Sequence, residues 1–137
     1  METIKKIAII TDGAAPIQEA AENIAAIIEG CSGYSAAVIQ AERFSGTDLL
    51  PAYAIFLGCE APAPSSFAYI EALMGHINLA GRPCGIFSSN AKALAYLSGL
   101  IRDSEIAAGK PFQTENGKID TEKLKSWVQN ILQKEAK

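Results

Sequence analysis

Short apolar runs alternate with amphipathic segments along most of the chain. Lys5–Ile10 (KKIAII) is rich in isoleucine and is closed by Thr11-Asp12-Gly13. Tyr53–Gly58 (YAIFLG) and Cys84–Ser88 (CGIFS) are apolar at nearly every position and end at a glycine and a serine. Runs of this kind are typical of strands that are buried on both faces, as in a parallel sheet. A weaker run, Ala36–Gln40 (AAVIQ), predicts a further strand.

Helices are predicted between these strands, from apolar positions that recur every 3.6 residues. They are expected to begin at or near Pro16, the pair Ser65-Ser66, Asn90, and Asp120 or Thr121, all residue types that favour helix amino termini, and the first is expected to end at Glu29. The predicted apolar faces are, in chain order, Ile17, Ala20, Ala21, Ile24, Ile27 and Ile28; Phe67, Ile70, Leu73, Met74 and Ile77; Leu94, Leu97, Leu100 and Ile101; and Leu124, Trp127, Val128, Ile131 and Leu132.

Strands that alternate with helices at this spacing predict right-handed βαβ units. A helix between Ser45 and Leu50 would be very short or absent. A fifth strand is expected between Glu105 and Gly117, where Pro111 limits it to an edge or a loop. We therefore expect residues 1–137 to form one α/β domain, a three-layer sandwich whose five parallel strands have the order 2-1-3-4-5.

Composition narrows the class of protein. The chain is 49% hydrophobic and 20% charged with a net charge of -3, which suits a globular domain and argues against nucleic acid as a partner. No apolar run approaches the ~18 residues of a membrane span. Cys31, Cys59 and Cys84 form no paired motif, so we expect reduced thiols in a cytoplasmic protein. The single histidine, His76, excludes a multi-histidine metal site within one chain.

Ligands of such sheets bind beyond the carboxyl ends of the strands, beside the point where the strand order reverses. Three predicted loops meet there: Thr11–Pro16, Gly58–Ser65 and Ser88–Ala91. Cys59 lies in the second loop, where a small half-buried residue is a better interpretation than a redox-active thiol.

Three segments resemble the flavodoxin family. They are the amino-terminal strand, Gly13 loop and helix; YAIFLGCEAPAP, which is similar to the family's third strand and following loop; and INLAGRPCGIFSS, which is similar to the turn into strand four. A tryptophan on the last helix, here Trp127, is also common in the family. The resemblance covers almost the whole chain, and the order and spacing of the motifs carry it.

The resemblance implies a flavodoxin-like sandwich that binds FMN non-covalently and transfers electrons to a redox or regulatory protein partner. Residues for the FMN phosphate would be Thr11, Asp12, Gly13, Ala14 and Ala15. Residues flanking the isoalloxazine ring would be Gly58, Cys59, Glu60, Ala61 and Pro62, together with Ser88, Ser89 and Asn90. It implies no catalytic residue and no metal, hence a carrier or binding module more than a catalyst.

The phosphate loop departs from the family pattern. That pattern is roughly Ser/Thr-x-Thr-Gly-x-Thr, and its hydroxyl positions fall on Ile10, Asp12 and Ala15, none of which is a hydroxyl residue. Pro16 also removes one N–H donor, and Asp12 and Glu60 are negative. The alternative is therefore a flavin-free flavodoxin-like module, whose acidic rim would prefer a cationic or neutral ligand, or a basic partner surface.

A response-regulator receiver domain is a further alternative, because it has the same strand order. Asp12, Ser88 and the Lys110-Pro111-Phe112 segment fall near the positions that such domains use. However, Gly58 stands at the phosphoacceptor position and Glu60 is displaced from it by two residues. A glycine cannot accept a phosphoryl group, which argues against this alternative.

Overall fold

The architecture is taken from a computed structural model, which describes residues 4–31, 33–44, 52–62, 64–74, 82–101, 107–108, 111–114 and 120–132. Within these ranges the strands are β1 (Lys5–Thr11), β2 (Tyr34–Gln40), β3 (Ala52–Gly58), β4 (Pro83–Ser88), β5 (Ala107–Ala108) and β6 (Phe112–Gln113). The α-helices are α1 (Ala15–Glu29), α2 (Ala68–Met74), α3 (Ala91–Ile101) and α4 (Thr121–Leu132). Two 3₁₀ turns, Ala41–Arg43 and Ser65–Phe67, follow β2 and precede α2.

The strands form one parallel sheet in the order β2-β1-β3-β4-β5, with β6 also paired to β4. Pro83 of β4 aligns with Ala107, and Phe87 of β4 aligns with Phe112. The two short strands therefore share the outer edge of β4 and together fill the fifth position. Pro111 directly precedes β6, and it has no N–H to add to the ladder. The predicted order 2-1-3-4-5 and the edge position of the fifth strand are confirmed.

Both faces of the sheet carry a hydrophobic core. On β1, Ile7 and Ile9 pack into the cluster that holds α1 and α4, while Ala8 and Ile10 pack into the cluster that holds α2 and α3. β3 alternates in the same way, with Phe56 on the first side and Leu57 on the second. Each fully buried isoleucine, leucine or phenylalanine stabilises the fold by about 1.5–3 kcal/mol. This alternation explains why residues 7–10 of β1 and 54–57 of β3 are apolar without interruption.

The predicted helices are present, but their buried faces and one predicted cap differ from the predictions. All five predicted apolar residues of α4 are buried, and Ile27 is the one predicted residue of the α1 face that is only partly buried. On α3 the buried positions are Ala93, Leu97 and Ile101, whereas Leu94 and Leu100 are only partly buried. The buried set follows an i, i+4, i+8 row.

The structure also corrects the predicted serine cap. Ser65 and Ser66 lie within the 3₁₀ turn before α2, and the cap position of that turn is Pro64, which makes no side-chain hydrogen bond. The predictions for Ser45–Leu50, His76 and Ile77 fall outside the described residues. None of the helices in the described ranges is long and apolar enough to span a bilayer.

An aromatic cluster fixes α4 on the sheet. The Trp127 ring lies 5.4 Å from the Phe56 ring and 5.2 Å from the Phe112 ring, between centroids. Gly85 of β4 lies beneath them. A Cβ atom at this position would be 2.8 Å from Trp127 Cζ2 and 2.9 Å from the Phe56 ring. The close approach of two aromatic rings therefore requires glycine at position 85.

We expect Gly85→Ala to destabilise the protein by about 1–3 kcal/mol, because the added methyl group overpacks the aromatic cluster. Gly99→Ala is the matched control, since Gly99 is exposed on α3 and a Cβ there meets no atom within 4 Å. The control should stabilise the protein by about 0.5–1 kcal/mol, the usual gain from replacing glycine within a helix. Urea unfolding measures both free energies, and equal effects of the two substitutions would contradict the close packing at Gly85.

Candidate functional site

The carboxyl ends of the strands meet at one edge of the sheet. Thr11 of β1 aligns with Gln40 of β2 and with Gly58 of β3, and Gly58 aligns with Phe87, the residue before the end of β4. Loop 1 (residues 12–14), loop 2 (residues 59–62) and loop 3 (residues 89–90) therefore leave from the same edge. We call these three loops the rim. The rim lies at the reversal of strand order beside β1, where ligands of such sheets bind.

Loop 1 is a tight turn closed by its own polar groups. Gly13 has φ +84°, a conformation that glycine adopts without steric cost. The Thr11 hydroxyl is buried; it donates to Gln18 Oε1 over 3.0 Å and accepts the Gly13 N–H over 3.3 Å. Its single proton is thus committed to Gln18 of α1, so this hydroxyl has no proton left for a ligand.

The Asp12 carboxylate joins loop 1 to loop 2. Its Oδ1 accepts the N–H of Ala14 over 3.0 Å, and its Oδ2 accepts the N–H of Glu60 over 2.8 Å. The first bond is a local turn of the kind that aspartate often makes. The second bond connects residues that are 48 apart in sequence. We call this pair of hydrogen bonds the Asp12 clip.

Loop 2 begins in the core and ends in solvent. Gly58 lies against the Phe87 ring, so closely that a Cβ atom would collide with it. Cys59 is fully buried, and burial raises the pKa of its thiol to about 12, with the negative charge of Asp12 as the smaller cause. Glu60, Ala61 and Pro62 are exposed. The side chains offered to a ligand by loop 2 are therefore a carboxylate and two small apolar groups.

The polar groups at loop 3 are also hydrogen-bonded within the protein. The buried Ser88 hydroxyl accepts the N–H of Asn90 over 3.0 Å, and the Ser88 carbonyl accepts the N–H of Thr114 over 2.8 Å. Asn90 Oδ1 accepts the N–H of Lys92 over 2.8 Å, which confirms Asn90 as the cap of α3. Ser89 and Asn90 are partly exposed.

Helices α2 and α3, which follow loops 2 and 3, are joined by a polar contact. The Tyr96 hydroxyl donates to Glu71 Oε2 over 2.6 Å. Burial raises the pKa of Tyr96 above its usual value, and the hydrogen bond to Glu71 adds to the effect. Phe67 is fully buried against the Tyr96 ring, at 6.4 Å between centroids. Phe67 is therefore part of the core and does not face the rim.

All thirteen candidate residues lie at the rim or at the strand and helix ends that border it. The Asp12 clip brings loops 1 and 2 into direct contact, and loop 3 shares their edge through the pairing of β3 with β4. The sequence interpretation missed Gln18 and Gln40. Gln40 Nε2 lies 3.7 Å from the position that a Cβ atom would take on Gly13. As the last residue of β2, Gln40 could have been placed at the rim from strand order alone.

The described residues contain no group of three or more histidine, cysteine, aspartate or glutamate side chains that could hold a metal ion.

Together the parallel order, the two helical layers and the rim define a flavodoxin-like fold. Oxidised flavodoxin 1 from Bacillus cereus is similar over 93% of this chain and 97% of its own, with a TM-score of 0.80 and 19% sequence identity. A flavodoxin from Streptococcus pneumoniae TIGR4 has a TM-score of 0.79 at 13% identity, over 92% and 96% of the two chains. A short-chain flavodoxin associated with a bacterial microcompartment has a TM-score of 0.80 at 10% identity, over 96% and 97%. No protein-family model and no curated protein matches the sequence.

We expect Asp12→Asn to destabilise the protein by about 1–3 kcal/mol. One carboxylate oxygen becomes an NH₂ group, which then faces a backbone N–H group of the clip and cannot accept its hydrogen bond. Glu60→Gln removes one negative charge as well, but keeps the backbone N–H that the clip uses, so it should change stability by less than about 0.5 kcal/mol. The measurement is urea unfolding followed by Trp127 fluorescence. Equal stability of the two variants would show that the clip contributes nothing.

The thiols provide a separate test of the packing around loop 2. We expect Ellman's reagent at pH 8 to modify Cys31, which is partly exposed, and to leave Cys59 and Cys84 unmodified in the folded protein. Burial raises the pKa of each of these two thiols to about 12, so both stay protonated at pH 8. All three thiols should react in denaturant. Fast reaction of Cys59 in the folded state would show that loop 2 is open to solvent.

Proposed function

We propose that this protein is a flavin-free binding module with a flavodoxin-like fold, which acts through its acidic rim. The Asp12 clip is the observation that carries the proposal. An anionic group already occupies the backbone N–H groups of Ala14 and Glu60, beside the amino terminus of α1. A helix amino terminus with free N–H groups is where a phosphate would otherwise bind.

The donors around loop 1 do not fit the FMN phosphate. Thr11 is the nearest hydroxyl residue, and its proton is donated to Gln18. Pro16, in the first turn of α1, has no N–H. A phosphate that approached Ala14 would also meet the Asp12 carboxylate, and two like charges about 5 Å apart repel by about 1 kcal/mol per charge pair in water and by more in a drier site.

The rim does not fit the isoalloxazine ring well either. Residues 58–66 (GCEAPAPSS) and 88–91 (SSNA) contain no aromatic side chain that could stack on it. Phe67, the first aromatic residue after loop 2, is fully buried beside Tyr96. The described loops therefore have no aromatic ring that could stack on the flavin and so offset a weakened phosphate site.

The charge of the rim points to the class of partner. The partly exposed Asp12 and the exposed Glu60 make loops 1 and 2 negative, whereas Lys92 places a positive charge in the first turn of α3 beside loop 3. A protein partner with a basic patch flanked by an acidic group would match this pattern. Such complementarity raises the rate of association and selects against wrong partners.

FMN-dependent electron transfer is the second candidate, and the shape of the fold favours it. Flavodoxins superpose on 92–96% of this chain, and loop 1 keeps a glycine with positive φ, which bends the backbone as a phosphate loop would. FMN would supply one- or two-electron chemistry if bound. Thr11 to Ala15 would then hold the phosphate, with loops 2 and 3 beside the ring.

A fluorescence titration of FMN with the purified protein separates the two candidates. We expect a colourless protein and no quenching of flavin fluorescence at ~100 μM protein, because the clip excludes the phosphate. An apo-flavodoxin under the same conditions is the positive control. Quenching with a dissociation constant of ~1 μM or tighter, about 8 kcal/mol of binding free energy, would reject the flavin-free module and make electron transfer the leading function.

A further inference from the structure

We infer that Asp12 is an intramolecular substitute for the anionic group of a ligand: it closes the N–H donors of loops 1 and 2 to phosphates and holds the rim in shape without a cofactor. This inference rests on the proposed flavin-free function and goes further, since it assigns the loss of phosphate binding to one residue. It also names the class of ligand that the rim does not bind, namely phosphate and phosphorylated compounds.

The geometry of the clip is that of a bound oxyanion. Its two oxygens take N–H donors from two separate loops, at 3.0 Å from Ala14 N and 2.8 Å from Glu60 N. Hydrogen bonds to an ionised acceptor are about twice as strong as neutral ones. Gly13, between Asp12 and Ala14, has φ +84°, and the turn that it makes brings the Ala14 N–H back to the carboxylate.

The charge on Asp12 also matches the end of the helix that follows. α1 begins at Ala15; its cap residue, Ala14, makes no side-chain hydrogen bond, and no acidic residue lies in its first turn. The positive end of the helix dipole therefore receives its negative charge from Asp12, just outside the helix. An external phosphate would have to break both bonds of the clip and then bind next to the displaced carboxylate.

The clip has a second function, because it connects two residues that are far apart in sequence. Loop 2 is joined to loop 1 over 48 residues by the bond to the Glu60 N–H. Loop 2 is otherwise exposed from Glu60 to Pro62. The clip thus orders the rim in advance, so that a neutral or cationic partner meets a preformed surface and loses less entropy on binding.

The experiment compares inorganic phosphate binding by the full-length chain and three variants. Asp12→Ala removes the carboxylate and frees both N–H groups. Asp12→Ser frees the Glu60 N–H but keeps a short side-chain acceptor for the Ala14 N–H, as serine does at helix amino termini. This variant can be tested if Asp12→Ala does not fold. Glu60→Gln is the control, because it removes one negative charge, as the Asp12 variants do, but leaves the clip intact. The readouts are the unfolding temperature in phosphate against chloride at equal ionic strength, and the ¹⁵N-amide shifts of Ala14 and Glu60.

We expect wild type to show no phosphate-specific stabilisation, and at least one Asp12 variant to bind phosphate at least about tenfold more tightly, with shifts at Ala14 and Glu60. Glu60→Gln should gain no more than about fivefold, the effect of one distant charge in water. The inference is overturned if folded Asp12 variants gain nothing, if Glu60→Gln gains as much, or if wild type binds phosphate equally well. Tight FMN binding by wild type would instead overturn the proposed function, so the two failures are distinguishable.

Discussion

Both faces of the central sheet are covered by helices, and this burial is the constraint on which the rest of the structure depends. Along β1 and β3, residues that point to either side enter a hydrophobic core, one with α1 and α4 and the other with α2 and α3. Every backbone polar group of these inner strands must then be paired within the sheet, because water cannot reach it. Polar chemistry is therefore confined to the edge where the strands end.

The same constraint decides the shape of that edge. Phe87 is buried against Gly58, and Trp127 and Phe56 approach Gly85, so the two glycines let aromatic rings lie directly on the backbone of β3 and β4. Thr11 and Ser88 are buried at the strand ends, where each hydroxyl accepts a backbone N–H and the Thr11 hydroxyl also donates to Gln18. The rim is thus built on the ends of buried strands, and Glu60, Ser89 and Asn90 are among the polar side chains that its loops leave exposed or partly exposed.

The clip makes this protein differ from what its fold suggests. Flavodoxin-like folds place helix amino termini and loop N–H groups around a ligand at the switch point. Here a carboxylate of the chain itself takes two of those N–H groups. Its hydrogen bonds cost no loss of translational freedom, because Asp12 is already tethered to the loop, whereas an external anion must lose that freedom on binding. A flavodoxin-like fold is therefore compatible with a rim that, as we propose, binds no phosphate.

The layered fold could be predicted from the pattern of residues, because doubly buried strands and amphipathic helices have different periodicities, and the predicted strand order assigned all thirteen candidate residues to one edge. The sequence also shows no hydroxyl residue at Ile10, Asp12 or Ala15, the positions that the resemblance to flavodoxins would assign to the phosphate. The hydrogen bonds of Asp12 could not be predicted in this way, since its partner Glu60 is 48 residues away and contributes a backbone N–H, which every residue except proline has. The burial of Ala93 and the split fifth strand were also decided only by the tertiary structure, through packing that short apolar segments do not encode.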